Sequence, residues 1–152
     1  MDATDADAVH NAIVAGLDEC VPAAGVLLMA DNGVWLALQT VNGKSLLGDL
    51  GGKKERGENL WQAAVREAFE EGGVDLSGVR LTSPEQVYYG AKHTGERSYA
   101  FFFVPATSAP QPTGDRRILE HRHLTELPDA SMLHGRMQFA VGFGARLQRC
   151  FA

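Results

Sequence analysis

The pattern of apolar and polar positions divides the first third of the chain into a helix, two strands and a loop. Val9, Ile13 and Leu17 recur at four-residue spacing, which predicts the apolar face of an amphipathic helix. The turn signal Asp31-Asn32-Gly33 then separates a continuous apolar run, typical of a buried strand, from an alternating run. The predicted elements are a helix over 5–19, strands over 25–30 and 34–40, and a long loop over 41–58.

The rest of the chain predicts a short, well-bounded helix followed by more strands. Asn59 is a candidate N-cap and the Gly72-Gly73 pair is a stop signal, which together predict a helix from Leu60 to Gly72. The later predicted elements are strand pieces over 79–81 and 86–89, strands over 97–104 and 116–125, and a helix over 132–151. This order indicates an α/β fold in which helices cover both faces of a mixed sheet.

Three glutamates of the predicted helix share one face. Glu67, Glu70 and Glu71 fall within an arc of about 100°, because successive residues are rotated by about 100°. Like charges at this spacing destabilise a helix by about 0.2–0.5 kcal/mol per pair, and the helix dipole disfavours anions in the last turn. Arg66 can pair with Glu70, but one guanidinium cannot neutralise three carboxylates. A cluster of carboxylate oxygens suits Mg²⁺ or Mn²⁺, and a solvated acidic face is the alternative.

The neighbouring arc of the same helix is expected to face the core. It carries Leu60, Trp61, Ala64, Val65, Ala68 and Phe69.

Composition limits the class of protein. With 152 residues, 45% of them apolar and 22% charged, the chain is expected to form one globular domain over 1–152, with 1–20 as an N-terminal helical extension. The chain has no apolar run of about 18 residues, so no membrane span is predicted. The acidic first ten residues lack the basic region of a signal peptide, so a cytoplasmic location is expected. A net charge of −5 opposes general nucleic-acid binding.

Residues 52–74, GKKERGENLWQAAVREAFEEGGV, resemble the Nudix box, G-x5-E-x7-R-E-U-x-E-E-x-G-U, where U is apolar. The fixed positions are matched by Gly52, Glu58, Arg66, Glu67, Glu70, Glu71 and Gly73. Two departures occur: Leu50 stands where the family often has proline, and the small Ala68 fills the first apolar slot. Neither departure removes a carboxylate. The resemblance implies the α/β/α sandwich of the Nudix fold, in agreement with the pattern of elements.

The resemblance also implies a reaction. Members of the family hydrolyse the diphosphate linkage of a small nucleoside diphosphate derivative, such as a nucleotide, an ADP-ribose-like compound or a dinucleotide polyphosphate, with Mg²⁺ or Mn²⁺. By resemblance, Glu67, Glu70 and Glu71 would be metal ligands, and Glu58 a further one, direct or through water. Arg66 would hold a glutamate by a charge-assisted hydrogen bond. Glu67 is one candidate for the base that takes a proton from the attacking water.

Other candidate residues lie around the box. Gly51 and Gly52 are expected to form a tight turn that lets the loop approach the metal or phosphate, and Lys53 and Arg56 to contact substrate phosphates. Tyr89 lies near where some family members place a base-stacking tyrosine. A base from outside the box would be Glu120, with Glu96 and Asp115 as alternatives. For each residue the structural alternative is ordinary: a plain turn, a solvated charge or a packing tyrosine.

Two other functions stay open. A Nudix-fold module that binds a nucleotide without turnover is expected to have lost box carboxylates, whereas this chain keeps all four. An RNA 5′-end pyrophosphohydrolase would need a basic surface, for which Arg116, Arg117 and Arg122 are the candidates. A homodimer is common in related folds, although no residue pattern marks an interface here.

Overall fold

A seven-stranded mixed sheet is the centre of the computed structural model, which describes residues 3–151. The strands are β1 (Ala23–Ala30), β2 (Gly33–Val41), β3 (Lys44–Gly48), β4 (Leu50–Lys53), β5 (Val87–Ala91), β6 (Arg97–Pro105) and β7 (Ile118–Leu124). The helices are α1 (Ala3–Ala15), α2 (Leu60–Gly72), α3 (Gly135–Gln138) and α4 (Phe143–Gln148), with short 3-10 turns at Pro84–Gln86 and Ala130–Met132.

β1 organises the sheet because three strands pair with it. One edge of β1 runs parallel to β6, from Ala24 to Met29. Its other edge is shared: residues 28–30 pair with β2, and residues 23–26 pair with β4, both antiparallel. The sheet therefore divides at this edge, because β2 and β4 pair with different parts of β1. A strand enclosed in this way is expected to be apolar on both faces, which explains the continuous apolar run of β1.

The core has two layers, one on each face of the sheet. Alternate residues of β6 point to opposite faces, so Phe102 joins the layer beneath α2, whereas Phe101 and Phe103 join the layer beneath α3 and α4. Helices thus cover both sides of the mixed sheet, and the predicted α/β/α fold is confirmed. The assignment of residues 1–152 to one domain, with 1–20 as an extension, stays a prediction.

α2 has the predicted bounds because both of its ends carry capping signals. The Asn59 side chain accepts a hydrogen bond from the Gln62 N–H, and the Gln62 side chain accepts from the Asn59 N–H, which completes a capping box. Gly73 ends the helix in the left-handed region, at φ 65°. Glycine reaches this conformation without the steric penalty of a side chain.

One side of α2 was predicted wrongly. Phe69 was expected in the core, yet its residue is 62% exposed, whereas Glu71 is only 3% exposed. The mean direction of the buried residues Leu60, Trp61, Ala64 and Ala68, which marks the core-facing side of the helix, lies about 55° from Leu60. Glu71 lies about 35° from that direction and Phe69 about 125° from it. The helical phase, rather than side-chain polarity, decides which of the two is buried.

Three further expectations about the elements are wrong. The loop predicted over 41–58 contains β3 and β4, because partners distant in sequence supply their strand pairing. The helix predicted over 132–151 is divided into α3 and α4, since Gly142 adopts φ 78° between them. Residues 79–81 form no strand. The remaining strands are confirmed with shifts of one or two residues at their ends, and α1 ends four residues before the predicted residue 19.

No helix within residues 3–151 is both long and apolar enough to cross a membrane.

Phe102 provides a test of the layer beneath α2. Its ring is fully buried and packs edge-on against Trp61, with 5.1 Å between ring centroids. We expect Phe102→Ala to lower the free energy of unfolding by about 3–5 kcal/mol, because it removes buried apolar surface and leaves a cavity. Urea denaturation measures this loss. Phe139→Ala is the matched control, since Phe139 is 75% exposed. An equal loss in both variants would contradict the core assignment.

Candidate active site

The glutamates of α2 lie against β4, where small residues allow close contact. A Cβ atom at Gly52 would lie 2.7 Å from Oε1 of Glu67, closer than real contacts allow. The backbone N–H of Gly51 donates a hydrogen bond to the Glu71 carboxylate. The pair of glycines therefore brings the β4 backbone directly onto two carboxylates. Neither glycine has a positive φ, and both pair with β1 as part of a strand. The predicted tight turn is therefore wrong, and the absence of side chains at these positions instead allows the strand to pack closely against the carboxylates.

Arg66 is surrounded by the carboxylates of the box. Its Nε and Nη2 donate to the two oxygens of Glu58, at 2.7 and 3.0 Å, which is a bidentate pair. Its Nη1 donates to Glu67 at 3.0 Å and to Glu70 at 3.2 Å. Nη2 also donates to the carbonyl oxygen of Lys53, 3.1 Å away. The guanidinium thus ties α2 to the segment between β4 and α2 and lowers the pKa of Glu58 through their hydrogen bond.

Glu71 is a buried carboxylate that lacks a full set of partners. It is 3% exposed, and burial, together with the nearby charges of Glu67 and Asp49, raises its pKa to about 8. Its nearest cation is Arg117, whose Nη2 lies 3.8 Å from Oε2. Its Oε1 is buried with no hydrogen-bond partner among the described residues. Burial also raises the pKa of Glu67, although Arg66 opposes that shift.

A second charged group lies next to Glu71 on the other face of the sheet. The Asp49 carboxylate, which is fully buried, accepts from Arg136 Nε at 2.7 Å and from the Tyr99 hydroxyl at 2.6 Å. Two glycines make room for this group: a Cβ at Gly25 would lie 1.9 Å from Asp49 Oδ2, and a Cβ at Gly51 would lie 1.9 Å from the Tyr99 hydroxyl oxygen. Burial, together with the adjacent Asp49 charge, raises the pKa of Tyr99, so the phenol keeps its proton and donates it.

The donor set fits a hard divalent cation. Glu58, Glu67, Glu70 and Glu71 supply only carboxylate oxygens, the ligand type that Mg²⁺ and Mn²⁺ prefer. Oε1 of Glu71 is a buried carboxylate oxygen without a hydrogen-bond partner among the described residues, and a bound cation would satisfy it. Within residues 3–151, however, no three His, Cys, Asp or Glu side chains converge closely enough to hold an ion as they stand. Three of the four glutamates contact Arg66: Glu58 through both oxygens, and Glu67 and Glu70 through one oxygen each, so that guanidinium does not use the second oxygens of Glu67 and Glu70.

Three other residues predicted to bind substrate, Lys53, Arg56 and Tyr89, lie outside the carboxylate cluster. Lys53, the last residue of β4, and Arg56, between β4 and α2, are both exposed and therefore accessible to a substrate phosphate. Tyr89 lies against the end of α1: its hydroxyl oxygen accepts from the Asp18 N–H at 2.9 Å, and Arg97 covers its ring at 4.3 Å. Among the described contacts, none joins Tyr89 to the box carboxylates. These surroundings favour a packing role, and base stacking by Tyr89 stays a prediction.

Glu120 points away from the box. It lies on β7, is exposed, and accepts a hydrogen bond from Arg122. Its neighbour His121 approaches Gly72 of α2, where a Cβ would lie 3.8 Å from His121 Cε1. Because successive strand residues face opposite sides, Glu120 faces away from α2. The role predicted for Glu120 stays untested, and the structure does not bring it together with the glutamates of the box.

Sequence reasoning missed three residues of this site, Asp49, Tyr99 and Arg136, and it considered Arg117 only for RNA binding. One signal for Asp49 was present, since it is an acid enclosed by apolar and glycine residues immediately before the box. No local signal marks Arg136, whose partner Asp49 lies 87 residues earlier in the chain.

Comparison with known proteins shows the family and agrees with the fold. A family model described as the NUDIX domain matches residues 21–140. The MutT NUDIX hydrolase from Burkholderia pseudomallei is similar in structure, with a TM-score of 0.57 and 21% identity over 74% of this chain and 88% of that one. The Nudix hydrolase RenU from M. smegmatis has a TM-score of 0.57 and 24% identity, covering 85% and 84% of the two chains. An Ap4A hydrolase binary complex from C. elegans has a TM-score of 0.56 and 18% identity, covering 85% and 93%. No curated protein matches the sequence.

The chain belongs to the Nudix family, since the family model covers most of its length. That membership places it in the class of the Nudix pyrophosphohydrolases.

The buried Asp49–Arg136 pair can be tested by removing one partner. We expect Arg136→Met to lower the free energy of unfolding by about 3–5 kcal/mol, because it leaves the buried Asp49 carboxylate without its cation. Arg149→Met is the control: its side chain is 61% exposed and lies 3.8 Å from Glu85, so we expect a loss below about 1 kcal/mol. Urea denaturation measures both. A loss no larger than that of the control would show that Asp49 does not depend on Arg136.

The raised pKa of Glu71 predicts how the stability of the metal-free protein varies with pH. The unfolded chain releases this proton near the ordinary value of 4.5, whereas the folded chain holds it to about 8. The folded state therefore binds more protons in this range, and the free energy of unfolding falls as pH rises from about 4.5 to about 8. We expect Glu71→Gln to remove this loss. The free energy of unfolding of the variant should therefore exceed that of the wild type by an amount that grows with pH across this window, to a few kcal/mol at most.

Denaturation in EDTA at several pH values measures this effect, with the exposed Glu70→Gln as the comparison. Curves for wild type and Glu71→Gln that stay parallel across the window would show that the Glu71 pKa is not raised.

Proposed function

We propose that this protein is a Mg²⁺- or Mn²⁺-dependent hydrolase that cleaves the diphosphate linkage of a small nucleoside diphosphate derivative. The observation that carries the proposal is the buried Glu71 oxygen without a partner, beside Glu67 and the β4 backbone, within a complete Nudix box. A cluster of this kind is costly unless a cation satisfies it. A cytoplasmic location and a homodimer stay expectations that accompany this proposal.

Glu67, Glu70 and Glu71 would hold the cation, with Glu58 as a further ligand, direct or through water. When bound at such carboxylates, the ion supplies neutralisation of the diphosphate charge and a lower pKa for a coordinated water. Arg66 keeps Glu58 and Glu67 in place through the hydrogen bonds described above. Glu67 accepts the proton of the attacking water, since its carboxylate is buried at the site, whereas Glu120 faces away from α2.

Substrate phosphates would meet the exposed cations at the end of β4. Lys53, whose carbonyl oxygen accepts a hydrogen bond from Arg66, and Arg56, three residues later, are both exposed. Arg117 approaches the cluster from β7's N-terminal side and pairs with both Asp115 and Glu71. Small nucleotides are also the substrates suggested by one relative, the Ap4A hydrolase.

An RNA substrate is less well supported by the charges. Two of the three arginines considered for RNA binding are already paired, Arg117 with Asp115 and Arg122 with Glu120. The remaining Arg116 cannot form a basic stripe by itself, and the net charge of the chain is −5.

A hydrolysis screen tests the proposal. The panel is ADP-ribose, NADH, dinucleoside polyphosphates, nucleotide sugars, coenzyme A, nucleoside triphosphates and capped RNA, each with Mg²⁺ or Mn²⁺. We expect turnover of one small-molecule class, and a loss of at least about 100-fold in kcat for Glu70→Gln, because an oxygen that binds the ion is replaced. The control is Glu126→Gln, an exposed glutamate after β7, which should keep full activity.

Two outcomes would overturn the proposal. Full activity in Glu70→Gln would show that the box carboxylates do not carry the reaction. Nucleotide binding without turnover of any substrate would establish the non-catalytic binding module instead.

A further inference from the structure

Glu19, in the segment between α1 and β1, contacts both ends of the segment that carries Glu58. Its two carboxylate oxygens accept a hydrogen bond from the Leu60 N–H, at 3.1 and 3.2 Å. Lys54 Nζ donates to Oε1 of Glu19 at 3.1 Å and to its carbonyl oxygen at 2.7 Å. Lys54 directly follows β4, and Leu60 is the first residue of α2. We call the contacts of Glu19 with these two residues the Glu19 clamp.

The Leu60 end of the clamp satisfies a buried donor. The first N–H groups of an α-helix have no acceptor inside the helix, and Leu60 is fully buried, so its N–H needs a partner from the protein. The capping box of Asn59 serves the Gln62 N–H instead. The first turn of α2, with the sequence LWQA, contains no acid. Glu19 therefore supplies the negative charge that the helix dipole favours at this end.

The Lys54 end of the clamp leads directly to Glu58. The N–H of Glu55, the next residue, donates to Glu58 Oε1 at 2.8 Å, and the Glu58 N–H donates to the Glu55 carbonyl oxygen at 3.1 Å. The same Oε1 accepts from Arg66 Nη2 at 3.0 Å. A displacement of Lys54 would therefore move a donor that shares this oxygen of Glu58 with Arg66.

The chain on the N-terminal side of Glu19 is itself anchored to the domain. The backbone N–H of Asp18 donates to the Tyr89 hydroxyl oxygen at 2.9 Å. Within α1, Nδ1 of the buried His10 accepts from the Leu81 N–H at 2.9 Å. These contacts hold the backbone beside Glu19, although the Glu19 side chain is partly exposed.

We propose that Glu19 is a positioning residue for the reaction of the Nudix box. Through the clamp it fixes both ends of the segment that carries Glu58, the further metal ligand in the proposed function, on which this inference rests. Glu19 acts through Lys54 and Leu60 rather than on substrate. It precedes residues 21–140, which match the family model, so the proposal adds a functional carboxylate from outside the matched part of the chain.

The first experiment measures amide hydrogen exchange of the metal-free full chain in EDTA, so it does not depend on hydrolysis. We expect Glu19→Ala to accelerate exchange at residues 55–60 at least about ten-fold more than in β1 and β6, because the segment loses its anchor and the Leu60 N–H its acceptor. Glu19→Gln should recover part of the protection at Leu60, since an amide oxygen can accept the same hydrogen bond.

Asp18→Asn is the matched control for this experiment. Asp18 is the neighbouring acid of the same segment, but its carboxylate contacts Arg97 and the Cys20 N–H rather than α2. We expect exchange at residues 55–60 to stay within about two-fold of the wild type in this variant. Unchanged exchange there in Glu19→Ala, or equal acceleration in Asp18→Asn, would overturn the clamp.

The second experiment separates positioning from a purely structural role. Mn²⁺ affinity is measured without substrate, from the electron paramagnetic resonance signal of the free ion, at a temperature at which every variant is fully folded. We expect Glu19→Ala to weaken Mn²⁺ binding and to lower kcat by about ten-fold each, the lower end of the loss seen when a group that orients a metal ligand is removed. Glu19→Gln should be intermediate, and KM should stay within about two-fold, because Glu19 does not act on substrate.

Failure of this inference and failure of the proposed function give different results. Turnover with the same kcat and Mn²⁺ affinity in the wild type and in Glu19→Ala would overturn the positioning role and leave the proposed function intact, even if Glu19→Ala were less stable. A wild type that hydrolyses no substrate would overturn the proposed function, whereas hydrogen exchange and Mn²⁺ affinity would still decide whether Glu19 positions the segment.

Discussion

The close approach of the β4 backbone to its neighbours is the constraint on which the site depends. Gly51 and Gly52 contact groups on both faces of the strand: the Tyr99 hydroxyl lies against one glycine and the Glu67 carboxylate against the other. Side chains at these positions would displace α2 from the sheet or separate Asp49 from its partners. Because β4 also shares an edge of β1 with β2, the sheet divides where the carboxylates gather. Backbone packing, rather than the glutamates alone, therefore positions the cluster.

The charges of the site are arranged for function at a cost in stability. Arg66 satisfies Glu58, Glu67 and Glu70, but Glu71 keeps a buried oxygen without a partner among the described residues. Solvent-exposed carboxylates would avoid this penalty, so burial of Glu71 is a local violation of the rule that buried polar groups are paired. Such violations in an otherwise consistent fold are characteristic of functional sites. Asp49 differs from Glu71: it is also buried, but both of its carboxylate oxygens accept hydrogen bonds, one from Arg136 and one from Tyr99. Burial of an acid in this fold therefore does not by itself leave an oxygen without a partner.

Local signals predicted α2 and its caps, because Asn59, Gln62 and Gly73 act within one turn of the helix ends. The same signals did not predict β3 and β4, whose hydrogen-bond partners lie in other strands. Within α2, residue type suggested Phe69 for the core, whereas the helical phase buries Glu71. The box located the glutamates, but Arg136 reaches Asp49 across 87 residues, and only the folded chain brings the two together. Interactions of this range leave no periodic trace in a sequence.

The same distinction separates the carboxylate cluster from the opposite face of the sheet. Structures that share this fold are only 18–24% identical to the chain in the comparisons above, so most of the fold's positions tolerate replacement. The carboxylate cluster is built from α2 and β4, which are adjacent in sequence and carry the family motif. A cavity of about 440 Å³ on that face instead combines β5, β6 and α3, elements that no motif connects. A single buried ion pair between Asp49 and Arg136 joins the two regions. The motif therefore locates the cluster, whereas this pair and the opposite face of the sheet become visible only in the folded chain.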